Sequence, residues 1–302
     1  MATVRALPQS ARQHGALRHV VLTQLRLLPR NLALVLIALW VLGPFSWTVS
    51  TSLKGIKELY TEPLSIIPHQ PTIANFQYMF LYLHDIPIYF RNSIFVTATA
   101  VILNVVLASL MGYAFARIQF RGRDAIFYSL IVAMFIPHAA GLIAVYELMA
   151  GLGLRNNLFG IALYFASELS LPLFIMRQTF LTLPRELEES AMIDGAGRLT
   201  IFTRIALPFA YGGMIVVAIL AFVHVWGDYL ITITLLDYPR LYTVGVAVSM
   251  FYAGGAMVHE ADISGPGIQT AGYLAAAFPV MITYFFLQRY FMRGLSEGVL
   301  KL

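Results

Sequence analysis

The chain has 302 residues, of which 59% are hydrophobic and 12% are charged, and its mean hydropathy is +0.75. This composition is too apolar for a soluble domain of this length and indicates a protein that lies mostly in lipid. The absence of cysteine excludes disulfides, thiolate metal sites and cysteine nucleophiles, and in so apolar a chain the net charge of +5 indicates membrane topology rather than a nucleic-acid partner.

Six segments are apolar enough to cross a hydrocarbon core, which takes roughly 20 residues of helix. The sequence therefore predicts an all-α polytopic membrane protein with six transmembrane helices. The first segment follows a tail that carries several arginines, and it has no evident small-residue cleavage site, so we expect a retained helix. The chain thus divides into an N-terminal tail, 1–30, and a transmembrane part, 31–302. The predicted spans are 31–52, 92–116, 125–149, 157–177, 209–232 and 268–288.

The distribution of basic residues predicts the orientation of these spans. Fifteen of the 20 Lys and Arg residues lie in the two termini and in the connections on the same side of the membrane as the termini. Basic residues near span ends are retained in the cytoplasm, so both termini are predicted to be cytoplasmic in a multi-pass protein of the cell (inner or plasma) membrane. Contact with membrane lipid accompanies this arrangement.

The connection between the fourth and fifth predicted spans contains a short helix pattern. Pro184 suits the first turn of a helix, the glutamates that follow it complement the helix dipole, and Gly195 and Gly197 can end the helix. A short helix with a small-residue face suits docking into a groove on a cytoplasmic partner. An interfacial helix that only connects two spans is the alternative, and helix physics alone slightly favours it.

This connection, 184–208, resembles the EAA loop of the permeases of ABC importers. The family pattern is Glu and two small residues, then Gly, then Ile-x-Leu-Pro, and every spacing is kept here, with Ser190 in place of the usual alanine. The resemblance implies that this loop couples the permease to an ATPase. The candidate coupling residues are Glu188, Glu189, Ser190, Ala191, Asp194, Gly195, Ile205, Leu207 and Pro208.

Other stretches resemble the carbohydrate branch of that family. They are Thr51–Lys54, Pro71–Phe76 and Gly112–Arg117, while the tail Gln288–Gly298 resembles the C-terminus of MalG-type subunits. Gly227 and Leu302 depart from the family pattern. The resemblance implies a permease core at about 90–290 and a cytoplasmic C-terminal tail, 289–302. The candidate tail contacts to the ATPase are Gln288, Arg293 and Gly294.

The resemblance further implies a type I ABC importer permease fold and a set of partners. These are a second, MalF-type permease, two ATPase subunits and an extracytoplasmic solute-binding protein. The chain contains no G-x-x-x-x-G-K-[ST] loop, so we expect no cofactor on this chain, and ATP and Mg to be used by the partner ATPase.

Polar residues inside the membrane are candidates for the translocation path, because charge in lipid is costly and usually faces a cavity or a partner. Glu168 lies near the middle of the fourth predicted span. Trp226 and Asp228 lie near the end of the fifth, where ordinary solvation of the acid is a simpler account. For Glu168, a path contact and a purely structural hydrogen bond are equally weighted. We expect neither a catalytic nor a metal site, and interpret His259, Glu260 and Asp262 as a hydrated loop.

These features predict a sugar or oligosaccharide importer permease that works by alternating access. An ABC permease for a non-sugar solute is one alternative. An ion-coupled secondary transporter is another, although it would show paired repeats with broken helices and several buried acids. A membrane enzyme lacks a nucleophile or metal constellation in this sequence.

Overall fold

The computed structural model describes residues 9–81, 85–254 and 263–299, and this part of the chain is helical without a strand. The predicted all-α class is therefore confirmed for these residues. The helices are α1 Gln9–Ser52, α2 Ile56–Thr61, α3 Ala74–Leu81, α4 Ile86–Arg117, α5 Arg123–Val132, α6 Leu142–Gly151, α7 Leu158–Ala166, α8 Ser170–Leu181, α9 Arg185–Ile193, α10 Arg198–Ile201, α11 Leu207–Phe209, α12 Tyr211–Gly227, α13 Leu230–Leu235, α14 Val244–Gly254 and α15 Gly265–Val299.

Three helical stretches in the described residues are long and apolar enough to cross a membrane unaided. They are Leu27–Ser52, Ile86–Arg117 and Gly265–Gln288, with lengths of 26, 32 and 24 residues. They coincide with the first, second and sixth predicted spans. Each exceeds the roughly 20 residues that a bilayer requires, so composition and length alone located them.

The fourth predicted span, 157–177, is a bent helix pair, and the fifth, 209–232, consists of α12 and the start of α13, preceded by a second bend. Helices α7 and α8 meet at an angle of 49°, and the stretch Arg198–Phe209 meets α12 at 72°. The break in the first pair spans 167–169, and Pro172 then lies in the opening turn of α8, where a proline is tolerated. Counted as single spans, the two pairs bring the number of membrane crossings in the described residues to five.

The third predicted span, 125–149, is not one continuous helix. It is divided between α5 and α6 by two short 3₁₀ turns, Ala133–Phe135 and His138–Gly141. Pro137 explains the break, because proline disfavours the helical conformation of the residue before it. Ile136 accordingly has φ −80° and ψ 121°, an extended backbone. The segment is apolar, as predicted, but its helix ends at this proline.

Helix α4 lies at the centre of the fold and packs against α7, α8 and α12. Its buried face carries small and polar residues such as Ala100, Ala108 and Ser109. At Gly112, an added Cβ would lie only 2.5 Å from the Cβ of Met176 in α8. Small residues allow membrane helices to approach closely, and α4 and α8 use this glycine for that purpose.

A network of buried polar side chains holds the loop that follows the first span. Lys54 is fully buried, and its Nζ donates hydrogen bonds to the carbonyls of Glu62 and Ser65 at 3.2 and 2.5 Å. Asn75 donates to the carbonyls of Ser52 and Lys54, and its Oδ1 accepts from the backbone N–H of Ser264 at 3.2 Å. Asn75 thereby joins the loop to the residues that precede α15.

Glu58 fixes the far end of the same loop. Its carboxylate accepts hydrogen bonds from the backbone N–H groups of His69 and Gln70 at 2.7 and 3.2 Å. These hydrogen bonds stabilise the charged form, the one from His69 most, so the pKa of Glu58 is lowered below its ordinary value. The loop therefore gains stability from Glu58 above its ordinary carboxyl pKa and loses it as the pH falls through the lowered value.

Candidate functional site

The short helix predicted in the connection 184–208 is present as α9. It follows Pro184 and ends at Asp194, and Gly195 has φ +82°, in the left-handed region. The backbone N–H of Ala196 donates to the carbonyl of Ala191 at 2.9 Å, and that of Gly195 donates to Met192 at 3.0 Å. These bonds form the glycine C-cap that commonly ends helices. The predicted role of Gly195 in ending this helix is confirmed.

One face of α9 is open to solvent. Glu189, Ser190, Asp194 and Gly195 are exposed, and Ala191 is half-buried. Two large apolar side chains lie beside them: Ile193 is 87% exposed, and Leu199, at the start of the next helix, is 73% exposed. Exposed apolar side chains rimmed by acidic groups are typical of a protein docking surface. We call this set the α9 face.

Glu188 does not belong to the α9 face, although the sequence grouped it with the other coupling residues. The residue is buried, and its side chain contacts residues of this chain. Oε1 accepts a hydrogen bond from the Tyr113 hydroxyl at 3.0 Å, and Oε2 lies 3.4 Å from Nε of Arg117. That last contact has the distance of an ion pair but not the geometry of a hydrogen bond. Glu188 therefore holds α9 on α4.

Arg117, the last residue of α4, also binds the end of α8. Its Nη2 donates to the backbone carbonyls of Phe180, at 2.8 Å, and of Leu183. Carbonyls at a helix C-terminus lack partners within the helix and carry its partial negative charge, so a guanidinium suits them well. Arg117 therefore joins the ends of α4 and α8 to the beginning of α9.

The remaining predicted coupling residues lie in the second half of the loop. Ile205 is part of a π-helical turn, Phe202–Ala206, and Leu207 and Pro208 begin α11. Ile205 and Leu207 are half-buried, whereas Pro208 is exposed. They precede the 72° bend into α12. Their positions indicate that they shape the return of the chain into the fifth span.

A cavity of about 420 Å³ lies between α4, the α7–α8 break and α12. Its volume is within the range of small-molecule sites. Among the residues described around it, none is Lys or Arg. The lining comprises Ala100, Asn104, Ala133, Met134, Tyr164, Phe165, Ser167, Glu168, Leu169, Ser170, Leu171, Pro172, Leu220, Ala221, His224 and Val225.

Glu168 provides the charged group of this cavity. It lies in the break between α7 and α8, not within a helix as the sequence predicted. Its Oε2 is 2.7 Å from Nε2 of His224 on α12, and its backbone carbonyl accepts from Asn104 on α4 at 3.2 Å. Sequence reasoning missed His224 as its partner. The two residues are 56 positions apart and belong to different spans, so no local pattern joins them.

Asp228 and Trp226, the other candidates for the translocation path, are not among the cavity-lining residues. Asp228 Oδ1 accepts from both the backbone N–H and the hydroxyl of Thr232 at 3.1 Å, so it binds the first turn of α13. Trp226 is buried and donates from Nε1 to the carbonyl of Ala276 at 2.9 Å. Both side chains therefore have structural partners in this chain, and their contact with the path stays a prediction.

The predicted tail contacts lie on α15, which continues to Val299. Gln288 donates a hydrogen bond to the carbonyl of Phe285 at 3.1 Å, within its own helix. The side chain of Arg293 and the burial of Gly294 lie outside the described part of the structure, as does the polar loop of His259, Glu260 and Asp262. Where side chains are described, no group of three metal-binding residues occurs.

Comparison with known proteins places this geometry in a family. Residues 104–297 match the family model described as "Binding-protein-dependent transport system inner membrane component". This match covers more than half of the chain, and it includes the second half of α4, all of α7, α8, α9 and α12, and most of α15.

Curated relatives align over most of their length. The maltodextrin transport system permease protein MdxG of Bacillus subtilis is 32% identical over 75% of this chain and 80% of its own. The sulfoquinovosyl glycerol transport system permease protein SmoH of Agrobacterium fabrum is 30% identical over 86% of this chain and 89% of its own. The diacetylchitobiose uptake system permease protein NgcG of Streptomyces coelicolor is 29% identical over 98% of this chain and 92% of its own.

A solved structure carries the same fold. A chain of a bacterial ABC transporter involved in the import of the acidic polysaccharide alginate matches with a TM-score of 0.76 and 23% identity, over 95% of this chain and all of that one. The family match and the relatives that align over most of the chain show that the chain belongs to the inner membrane components of binding-protein-dependent ABC transport systems, as a permease and not as an enzyme or an ion-coupled secondary transporter.

Proposed function

We propose that this chain is one of two permeases of a saccharide importer driven by ATP. Relatives that align over most of the chain are named for the transport of maltodextrin, diacetylchitobiose, arabinooligosaccharides and galactooligosaccharides. A sugar or oligosaccharide is the substrate class that these names favour. An ABC permease for a non-sugar solute remains the alternative.

The cavity around Glu168 is the part of this chain that we assign to the translocation path. Tyr164 and Phe165 offer aromatic faces, and Asn104, Ser170 and Glu168 offer polar groups to hydroxyls. Small-molecule sites combine apolar walls with a few placed polar groups in this way. The carboxylate of Glu168 is paired with His224, and the lining holds no Lys or Arg to bind an acidic sugar, which favours a neutral saccharide.

The α9 face is the surface that we assign to an ATPase subunit in the cytoplasm. Its acidic rim and its two exposed apolar side chains support docking into a groove on that partner. ATP and Mg then belong to the partner. The complete importer would contain a second permease, two ATPase subunits and an extracytoplasmic solute-binding protein, and both termini of this chain would be cytoplasmic. The helical tail around Gln288, Arg293 and Gly294 is a second candidate contact to the ATPase.

The single observation that carries the path assignment is the Glu168–His224 contact at 2.7 Å within the cavity. Transport assays with the complete complex in membrane vesicles test it. The measurement is ATP-dependent uptake of radiolabelled maltooligosaccharides and of an acidic oligosaccharide, for the wild type and for Glu168→Gln. Loss of a hydrogen bond to a charged group should lower uptake roughly tenfold or more.

Glu147→Gln is the matched control, because Glu147 is exposed on α6 and outside the cavity. Uptake by this variant should equal that of the wild type. Uptake without ATP in the wild type would contradict the importer assignment. Normal uptake by Glu168→Gln would contradict the path assignment alone.

A further inference from the structure

A buried polar cluster lies where α4, α8 and α9 meet. We call its three residues, Tyr113, Arg117 and Glu188, the α4–α9 joint. The side chains of Arg117 and Glu188 are only 8% and 9% exposed. Burial of an ion pair costs desolvation free energy that offsets most of its attraction, so the pair adds little net stability. Stability alone therefore does not explain why Arg117 and Glu188 are buried together.

The joint is one end of a longer connection. From Arg117, helix α4 runs back thirteen residues to Asn104 in the cavity wall, a distance of roughly 20 Å at 1.5 Å per residue. Helix α8 runs parallel to this stretch, from Ser170 in the cavity wall to the carbonyls that Arg117 binds. Both helices thus extend from the cavity to α9.

These two helices are fastened at three levels. At the cavity, Asn104 donates to the backbone carbonyl of Glu168 at 3.2 Å. Midway, Gly112 brings the backbones together so closely that no Cβ fits between them. At the far end, Arg117 binds the carbonyls that follow α8 and contacts Glu188 of α9. These contacts form a continuous connection from Glu168 to α9 through α4 and α8.

We propose that Tyr113, Arg117 and Glu188 are positioning residues that transmit movement between the cavity and the α9 face. The inference rests on the proposed function, because it concerns how the path and the ATPase surface communicate. In this proposal two adjacent glutamates have different roles. Glu188 contacts Tyr113 and Arg117 within this chain, and Glu189 faces the ATPase subunit. A joint that only stabilised the fold would affect assembly and unfolding but not the ratio of transport to ATP hydrolysis.

The first experiment compares Glu188→Gln with Glu189→Gln in the complete complex in proteoliposomes. Glu188→Gln should keep its ATPase subunits and hydrolyse ATP, while the uptake per ATP falls roughly tenfold, within the usual range of coupling between sites. Glu189→Gln should instead lose ATPase subunits on purification. Full uptake per ATP in Glu188→Gln would overturn the proposal.

Tyr113→Phe keeps the test decisive if Glu188→Gln fails to fold. It removes one hydroxyl and leaves the ring packed on Phe180 and Phe202. Its uptake per ATP should fall as well, and the losses in the double variant with Glu188→Gln should be less than additive, since both substitutions weaken the same three-residue cluster. Additive losses would contradict a shared joint.

The second experiment needs no ATPase and so distinguishes failure of this inference from failure of the proposed function. The chain has no cysteine, so spin labels can be placed at Arg121→Cys, beyond α4, and at Ile193→Cys, on α9. Pulsed electron paramagnetic resonance on the purified, doubly labelled permease should give a narrow distribution of label-to-label distances. The distribution should be broad when Glu188→Gln is added. Glu189→Gln should leave it narrow. A narrow distribution in all variants would overturn the joint even if the importer transports normally.

Discussion

Gly195 shows how one backbone conformation sets the position of a surface. Its φ of +82° reverses the chain after α9, and an added Cβ would meet no atom within 4 Å. A side chain there would therefore cause backbone strain without a clash. Left-handed backbone costs an ordinary residue about 1–2 kcal/mol, so the chain would relax by moving α9 relative to α10.

Replacement of Gly195 should uncouple the transporter while leaving it in the membrane. Gly195→Val should lower ATP-dependent uptake strongly, whereas Gly195→Asn should retain more, because asparagine tolerates this conformation. Uptake and membrane content are measured in parallel. Gly197→Ala is the control, since Gly197 has φ −74° and open space around it. Equal uptake by Gly195→Val and Gly197→Ala would contradict this role for Gly195.

Two adjacent residues of one motif, Glu188 and Glu189, differ in burial: the first is buried in this chain and the second is exposed. The sequence did not predict this difference. The EAA-like spacing located α9 and its glycine correctly. It could not separate Glu188 from Glu189, because the burial of Glu188 depends on Tyr113 and Arg117, more than 70 positions earlier. The same applies to Glu168: its cost in lipid marked it as important, but its partner His224 lies on another span.

At the scale of elements, α4 and α8 depend on a close contact that only glycine allows. The Cβ of an alanine at Gly112 would lie 2.5 Å from the Cβ and 2.9 Å from the carbonyl carbon of Met176. The second atom belongs to the backbone and cannot rotate away. The helices must separate, which loosens the packing between them along their length.

Gly112→Ala should therefore destabilise the protein by about 1–3 kcal/mol, as overpacking does in well-packed interiors. Thermal unfolding of the purified permease in detergent, followed by tryptophan fluorescence, measures this effect. Gly43→Ala serves as the control, because an added Cβ at Gly43 meets nothing within 4 Å and alanine favours the helix. An unchanged unfolding temperature for Gly112→Ala would contradict the described α4–α8 packing.

Hydropathy predicted the straight spans better than the broken ones. A run of apolar residues locates α4 and α15, because a straight membrane-spanning helix needs only about 20 mostly apolar residues. The same run at 125–149 contains Pro137, which ends the helix locally without changing the mean hydropathy. The bend between α7 and α8 is harder still to predict, since it combines a polar residue at 168 with packing against α4 and α12.

At the scale of the whole molecule, the unequal distribution of basic residues predicts the membrane orientation. The orientation predicts that single cysteines at Ile67 and Ile193, which are 80% and 87% exposed, react from opposite sides. Membrane-impermeant maleimide added to intact cells should label Ile67→Cys and leave Ile193→Cys unmodified until the membrane is opened. The cysteine-free chain gives no background. Labelling of Ile193→Cys in intact cells would reverse the proposed topology.

The hydrogen bond between Asn75 and Ser264 can form only late in the synthesis of the chain. The Oδ1 of Asn75 binds the N–H of Ser264, 189 residues later in the chain. At 5–20 residues per second, the ribosome supplies that partner roughly 10–40 seconds after Asn75 has been made. During that time the side-chain amide of Asn75 lacks this partner, while the spans between the two residues are inserted. Release of the nascent chain short of Ser264 would leave the loop after the first span without this anchor, so closure of the loop shows that synthesis has reached the start of the last span.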